Sequence, residues 1–134
     1  MYSRKILEEF KNPQNVGMLK GASAVGTFEN EKTLEVAKLY VIVENDIISQ
    51  VKFKAFGSPI AIATGSIITK LLLNQNINDI NITLEEIISQ LGEVEENKLS
   101  SVENFIYAIS SLVADYKKKQ ERLLKKQNKL SAKF

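Results

Sequence analysis

The sequence predicts an α+β domain, in which a small three-stranded antiparallel sheet packs against helices from the C-terminal half of the chain. Two observations lead to this prediction. Between residues 24 and 56, β-branched and aromatic residues occur in short runs with strand periodicity. From Ser58 onward, apolar residues recur at helical spacing behind three helix-start signals. A chain of 134 residues is long enough to bury one core without a disulfide or a metal.

A short helix is predicted at the N-terminus. Ile6, Leu7 and Phe10 recur at helical spacing, and Ser3 stands where an N-cap is needed. Asn12, followed by proline, ends the pattern. A loop with several glycines then leads to a first strand near residues 24–28.

The next two strands are predicted to form an antiparallel hairpin with one face in water. Residues 34–43 and 47–56 are rich in β-branched and aromatic side chains, and Asn45-Asp46 supplies the turn. Alternation in the second of these strands predicts polar residues on one face. The residues predicted to face the core are Ile47, Val51, Phe53 and Ala55.

Three helices are predicted after the sheet. Ser58-Pro59 starts the first, with a side-chain oxygen at the N-cap and proline at the first position, and this helix runs to about Leu73. Thr83-x-x-Glu86 starts the second, which Gly92 ends. Ser100-x-x-Glu103 starts a long third helix, whose apolar stripe is Val102, Phe105, Ile106, Ile109, Leu112, Val113 and Tyr116.

Charge is distributed unevenly along the chain. Residues 117–134 hold eight Lys or Arg and one Glu, whereas residues 1–116 hold ten basic and fifteen acidic residues. We therefore divide the chain into a domain, residues 1–119, and a basic C-terminal extension, residues 120–134. The extension is interpreted as a projecting, solvated helix or tail, with contact to an acidic partner as the alternative. It lacks aromatic residues interleaved with the basic ones, which would stack on bases, so nucleic acid is not expected as a partner.

The absence of cysteine and histidine excludes many function classes. Without them the chain has no zinc site of the usual kinds, no thiolate ligation of iron–sulfur clusters, no cysteine nucleophile and no Ser-His-Asp triad. We therefore do not expect an enzyme. No segment resembles an export signal or a membrane span, which predicts a cytoplasmic protein that does not use a membrane.

Hydroxyls and carboxylates stand at three predicted element ends: Thr33 with Glu35, Ser58, and Ser100-Ser101. Helix N-termini can hold anions or activate a nucleophile, but both serine sites are equally well explained as helix caps. No base accompanies either serine site, which argues against a catalytic serine. Glu31 and Glu35 share a strand face and are a weak candidate for a carboxylate metal site, without a third ligand.

Several distinctive motifs occur in order along the chain. They are Tyr2-Ser3, Asn12-Pro13-Gln14-Asn15-Val16-Gly17, Ile47-Ile48 with Val51-Lys52-Phe53-Lys54-Ala55-Phe56-Gly57, Ala61-Ile62-Ala63 and Ala114-Asp115-Tyr116-Lys117. Together they resemble the NifU/IscU-type scaffolds of iron–sulfur cluster assembly. The resemblance runs in order from Tyr2 to about Lys119 and implies the same three-stranded sheet packed with helices.

The resemblance also implies a cluster site, formed in that family by three cysteines and an aspartate. Thr33-Leu34-Glu35 stands where the family has Cys-Gly-Asp, Gly57-Ser58 where it has Gly-Cys, and Ser100-Ser101 where it has His-Cys. Only Glu35 keeps an acid. A hydroxyl is a poor substitute for a thiolate on iron, so no cofactor is expected, and Thr33, Glu35, Ser58, Ser100 and Ser101 are interpreted as vestigial positions.

The function expected from this resemblance is that of a cysteine-less paralogue, a non-catalytic partner or modulator in iron–sulfur cluster assembly. Its expected partners are a cysteine desulfurase or a cysteine-containing scaffold. Val94-Glu95-Glu96-Asn97-Lys98 replaces the family's chaperone motif Leu-Pro-Pro-Val-Lys, which leaves Lys98 as a candidate partner contact. The alternative is a protein-binding module that reuses the fold outside this pathway. The oligomeric state stays open.

Overall fold

The structure, a computed structural model, describes residues 2–132. Met1, Lys133 and Phe134 lie outside the described residues, and so does the part of each prediction that concerns them. The elements follow in the order α1 (Arg4–Lys11), β1 (Ala24–Glu29), β2 (Val36–Glu44), β3 (Ile47–Phe56), α2 (Pro59–Leu72), α3 (Leu84–Leu91), a 3₁₀ turn (Glu96–Lys98) and α4 (Leu99–Ala132).

The three strands form an antiparallel sheet in the order β1-β2-β3, as the sequence predicts. The hairpin turn between β2 and β3 consists of Asn45 and Asp46, whose φ angles are 52° and 65°. Two successive positive φ angles give a two-residue turn a twist that matches the twist of the strands it joins. Among residues other than glycine, Asn and Asp adopt such angles most readily. The local sequence therefore favours this tight turn between β2 and β3.

A β-bulge makes one prediction for β3 wrong. Ile42 pairs with Gln50 but Val43 pairs with Ile48, so that Ser49 is an extra residue on β3. An extra residue reverses the faces of the side chains beyond it. Ile48 is consequently fully buried, whereas Ile47, which was predicted to face the core, is 38% exposed.

Two helices cover one face of the sheet, α4 over β1 and β2, and α2 over β3. The rings of Phe53 and Phe105 meet edge to face in this core, with their centroids 6.0 Å apart. Gly26 lets α4 approach closely, because a Cβ there would lie 2.2 Å from the carbonyl oxygen of Ala108. Gly65 does the same for α2 against Phe53. The predicted packing of C-terminal helices on the sheet is thus confirmed.

Side chains of α4 also bind the free edge of β1. The backbone N–H of Val25 donates to Oδ2 of Asp115 at 2.8 Å, and that of Thr27 donates to Oγ of Ser111 at 3.0 Å. Burial raises the pKa of Asp115, but the Val25 hydrogen bond and Lys119 outweigh it, and this pKa lies below its ordinary value. Helix α4 therefore supplies acceptors that a neighbouring strand would otherwise provide.

Helix α4 runs without a break from Leu99 to Ala132, which confirms the predicted long C-terminal helix. The predicted capping role of Ser100 is wrong, because the 3₁₀ turn leads directly into α4 and Ser100 lies inside its first turn. The buried stripe ends at Tyr116, and nearly all later described residues are exposed. No break marks residue 119, so the division at that point stays a prediction. Among the described helices, none is both long and apolar enough to cross a membrane.

Candidate functional site

The site is built around Glu35, which lies directly before β2 and is 8% exposed. The turn before it is held by Asn30, whose side-chain oxygen accepts hydrogen bonds from the backbone N–H groups of Lys32 and Thr33. Leu34 has a φ of 63°, the left-handed region that favours glycine. Gly57 leaves room for the carboxyl group, because a Cβ there would lie 2.5 Å from Oε2 of Glu35.

Three groups donate to the Glu35 carboxyl. The hydroxyl of Ser101 lies 3.0 Å from each carboxyl oxygen. The side-chain amide of Asn104 and the backbone N–H of Ser58 each donate at 3.4 Å. Asn104 in turn accepts from the side chain of Asn30 at 3.0 Å. The buried carboxyl thus links the start of β2 to the first turns of α2 and α4 by hydrogen bonds within the chain.

Ser58 occupies the N-cap position of α2, but its side chain does not form the predicted cap. Its backbone is extended, Pro59 follows at the first helical position, and no side-chain cap bond forms. Its Oγ is buried and has no hydrogen-bond partner within residues 2–132. The backbone N–H of Ser58 donates to Glu35 instead, so one N–H at this helix start contacts a carboxyl group.

The structure brings together Glu35, Ser58 and Ser101, whereas the other two predicted vestigial positions, Thr33 and Ser100, do not contact the Glu35 carboxyl group. Thr33 is exposed, and its Oγ1 accepts a hydrogen bond from the backbone N–H of Glu35 at 3.3 Å. Ser100 lines a neighbouring cleft of about 520 Å³ together with Glu103 and Tyr107. Of the two adjacent serines, Ser101 is the one that contacts the carboxyl group.

The proposed pairing of Glu31 and Glu35 as metal ligands is wrong. Residues 31–34 form a turn, so the two acids do not share a strand face, and Glu31 is exposed whereas Glu35 is buried. Within the described ranges, no group of three or more His, Cys, Asp or Glu side chains is arranged to hold a metal ion. The site consists of hydroxyl, amide and carboxyl groups.

Lys98 lies apart from this site, against the N-terminal segment. Its Nζ is 4.7 Å from the centroid of the Tyr2 ring and donates to the Tyr2 hydroxyl at 3.4 Å. An ammonium group over an aromatic face is attracted to it electrostatically. Contact of Lys98 with another protein stays a prediction.

Sequence reasoning missed a second polar cluster, which lies between α1 and α2. Glu9 forms an ion pair with Lys70 and accepts a hydrogen bond from Ser66 at 2.7 Å. Burial raises the pKa of Glu9, but the hydrogen bonds from Lys70 and Ser66 and the charge of Lys70 outweigh it, so this pKa lies below its ordinary value. Glu9 resembled an ordinary exposed helix residue because its partners are about 60 residues away.

The Asn-Pro-x-Asn-Val-Gly motif is anchored by this same region. The backbone N–H of Gln14 donates to Ser66 at 2.9 Å, and the side-chain amide of Asn15 donates to Thr69 at 3.1 Å. Asn15 and Gly17 also exchange backbone hydrogen bonds with Phe53, each of 2.8 Å. The motif therefore covers part of the outer edge of β3, which is a structural role.

Comparison with known proteins agrees with the fold and the motifs. The family described as NifU-like N terminal domain matches residues 1–123. The chain is 33% identical over 125 residues to the iron–sulfur cluster assembly scaffold protein IscU of Aquifex aeolicus, covering 91% of this chain and 80% of that protein. It is 33% identical over 123 residues to the IscU scaffold protein of Haemophilus influenzae, covering 89% and 98%. A NifU-like N-terminal structure from Brucella abortus superposes with a TM-score of 0.68 at 11% identity, covering 89% of this chain and 94% of that one.

Proposed function

The chain belongs to the NifU-like N-terminal domain family, and on that premise we propose that it acts in iron–sulfur cluster assembly as a non-catalytic protein partner that does not carry the cluster. Relatives with this domain are named as assembly scaffolds. Under this proposal the chain acts in the same pathway as these relatives, but as a partner that does not carry the cluster.

The observation that carries the proposal is the hydrogen-bonded Glu35–Ser101–Asn104 group. Cluster irons are held by thiolates, with histidine as the usual substitute, and the chain contains neither residue. The donors present are neutral hydroxyls, an amide and one carboxyl, which do not fit an iron–sulfur cluster. The carboxyl group already accepts hydrogen bonds from within the chain. This arrangement supports a site that stabilises the fold and does not ligate a cluster.

The proposed partners are a cysteine desulfurase or a cysteine-containing scaffold of the same pathway. The surface beside the site favours protein contact, since Leu34 and Phe56 are each 72% exposed at the same end of the β2–β3 pair, where Val36 pairs with Phe56. Exposed large apolar side chains that lie near each other are typical of interaction surfaces. The cytoplasm, where we expect these partners, stays a prediction.

Two measurements on the purified chain test the proposal. Anaerobic incubation with ferrous iron and sulfide should give no absorbance band that survives desalting, and such a band would refute the loss of cluster binding. Titration against the desulfurase and the cysteine-containing scaffold of the source organism should show saturable binding to at least one of them. Leu34→Ser with Phe56→Ser should weaken that binding, and Leu73→Ser, at 41% exposure elsewhere on the surface, is the matched control.

The second candidate function is a protein-binding module that uses the fold outside iron–sulfur assembly. The basic helix beyond Tyr116, which the domain core does not need, favours it. Absence of binding to both assembly proteins, with the folded chain shown to be intact, would select this candidate over the first.

A further inference from the structure

The projecting part of α4 carries a narrow apolar stripe. Leu123 and Leu130 follow Tyr116 at intervals of seven residues, and positions seven apart lie on nearly the same face of a helix. Tyr116 is buried against the domain, whereas Leu123 and Leu130 are 53% and 56% exposed. The stripe therefore begins as part of the core and continues beyond it without a cover among the described residues.

Basic side chains lie along one side of this stripe. Lys119 and Lys126 lie there, one turn before and one turn after Leu123. Leu123, these two lysines and Arg122 line a groove of about 1010 Å³, bounded on the domain side by Ser23 just before β1. The groove lining thus combines one leucine of the stripe with positively charged side chains.

We propose that this stripe and groove bind an acidic amphipathic helix of a partner protein. Two helices pair when apolar side chains on their facing sides interlock, and charges beside that contact set the choice of partner. A partner helix with leucine-like residues in its seam and Asp or Glu beside it would cover Leu123 and Leu130 and face Lys119, Arg122 and Lys126. The proposal goes beyond the proposed function and does not depend on it.

Three other occupants fit less well. Pairing of two copies of this segment would bring like charges together, because residues 117–132 hold seven Lys or Arg and one Glu. A nucleic acid would leave the leucines exposed, and the segment has no aromatic side chain to stack on bases. A bilayer surface favours a wide apolar face, whereas Gln120 and Gln127 border this stripe.

The test uses the full chain and a synthetic helical peptide with leucines at seven-residue spacing flanked by glutamates. The control peptide has the same composition, with the leucines distributed around the helix. We expect saturable binding of the first peptide only, measured by fluorescence anisotropy. Affinity should fall as the ionic strength rises from about 0.01 M to about 0.15 M, because screening then shortens from about 30 Å to about 8 Å.

Variants locate the binding face. Leu123→Asn with Leu130→Asn should weaken peptide binding at least about tenfold. Leu124→Asn is the matched control, because Leu124 is 59% exposed on the same segment but lies outside the seven-residue repeat of the stripe, and it should have little effect. Equal loss in both variants, equal binding of the two peptides, or tighter binding to phosphatidylglycerol vesicles or duplex DNA would overturn the proposal. None of these outcomes bears on binding to the assembly proteins, so the two proposals fail separately.

Discussion

Ser101, in the first turn of α4, places its hydroxyl oxygen 3.0 Å from both carboxyl oxygens of Glu35, at the start of β2. Both residues stand at positions that the sequence resemblance predicts to be vestigial cluster-ligand positions. The contact joins segments 66 residues apart and buries a carboxyl group beneath the ends of two helices. These two predicted positions thus contribute a tertiary contact.

Removal of this hydroxyl should destabilise the fold. Ser101→Ala leaves the buried Glu35 carboxyl with only two donors at 3.4 Å, and an under-satisfied buried polar group costs about 1–3 kcal/mol. Urea denaturation should show this loss in the free energy of unfolding. Ser100→Ala, one residue earlier and in the neighbouring cleft, is the control. Equal stability of the two variants would contradict the role of the Ser101 hydroxyl.

Restored thiolates should create a zinc site. In a variant with Thr33→Cys, Ser58→Cys and Ser101→Cys, three thiolates and Glu35 supply the four ligands that zinc prefers. Equilibrium dialysis should then show one zinc ion per chain, above the wild-type level. With Ser100→Cys in place of Ser101→Cys, binding should weaken, because Ser100 faces the cleft with Glu103. If neither folded variant binds zinc, the vacated positions no longer converge.

Leu34→Gly should stabilise the protein. A non-glycine residue in the left-handed region, such as Leu34, costs about 1–2 kcal/mol of stability. Glycine avoids this cost, but its greater freedom in the unfolded chain lowers stability by about 0.4–1 kcal/mol. The expected gain is therefore up to about 1 kcal/mol in chemical denaturation. Leu34→Ala, which removes the exposed side chain but keeps the strain, should gain nothing. A lower stability of the glycine variant would show that the Leu34 side chain makes a compensating contact.

Glu9 should make stability depend on acid pH. Since the folded-state pKa of Glu9 lies below the ordinary value of 4.5, its contribution is present above pH 4.5 and is lost as the pH falls through the folded-state pKa. The difference in unfolding free energy between the wild type and Glu9→Gln should shrink over this range. Glu8→Gln is the control, because Glu8 is exposed. A difference that does not change with pH would argue against the Lys70 and Ser66 contacts as its source.

Deletion of residues 120–134 should leave the stability of the domain nearly unchanged. The deleted leucines within the described residues are more than half exposed, and the Asp115–Lys119 ion pair stays in place. Changes away from core contacts shift stability by no more than about 0.5 kcal/mol. Thermal unfolding, monitored by circular dichroism, measures this change in stability. A melting temperature lower by many degrees would mean that the segment packs against the domain or against a second copy.

The sequence predicts best those features that are decided within a few residues. Ser3 caps α1 through the N–H of Ile6, and Thr83 caps α3 through the N–H of Glu86, as expected from spacing alone. The Asn45-Asp46 turn and the strand types belong to this class. Each of these signals and its partner lie on the same short segment.

The errors arise where a partner is distant in sequence. Ser101 belongs to a serine pair that was interpreted as a helix cap but donates to Glu35, and Glu9 looks like a surface residue but is buried against Ser66. Alternation in β3 could not reveal the bulge at Ser49, because the extra residue is defined only by pairing with β2. Tertiary contacts override local preference at these positions.

The acceptors that Asp115 and Ser111 offer to Val25 and Thr27 also protect the protein from self-association through its sheet. An edge strand with free N–H groups is a template on which another chain can add a strand, the first step towards fibrils. Here the N–H groups of the edge strand are occupied only while α4 is packed on the sheet, since both acceptors lie on that one helix. Transient release of α4 would expose β1, and with it the edge at which aggregation of this protein is expected to begin.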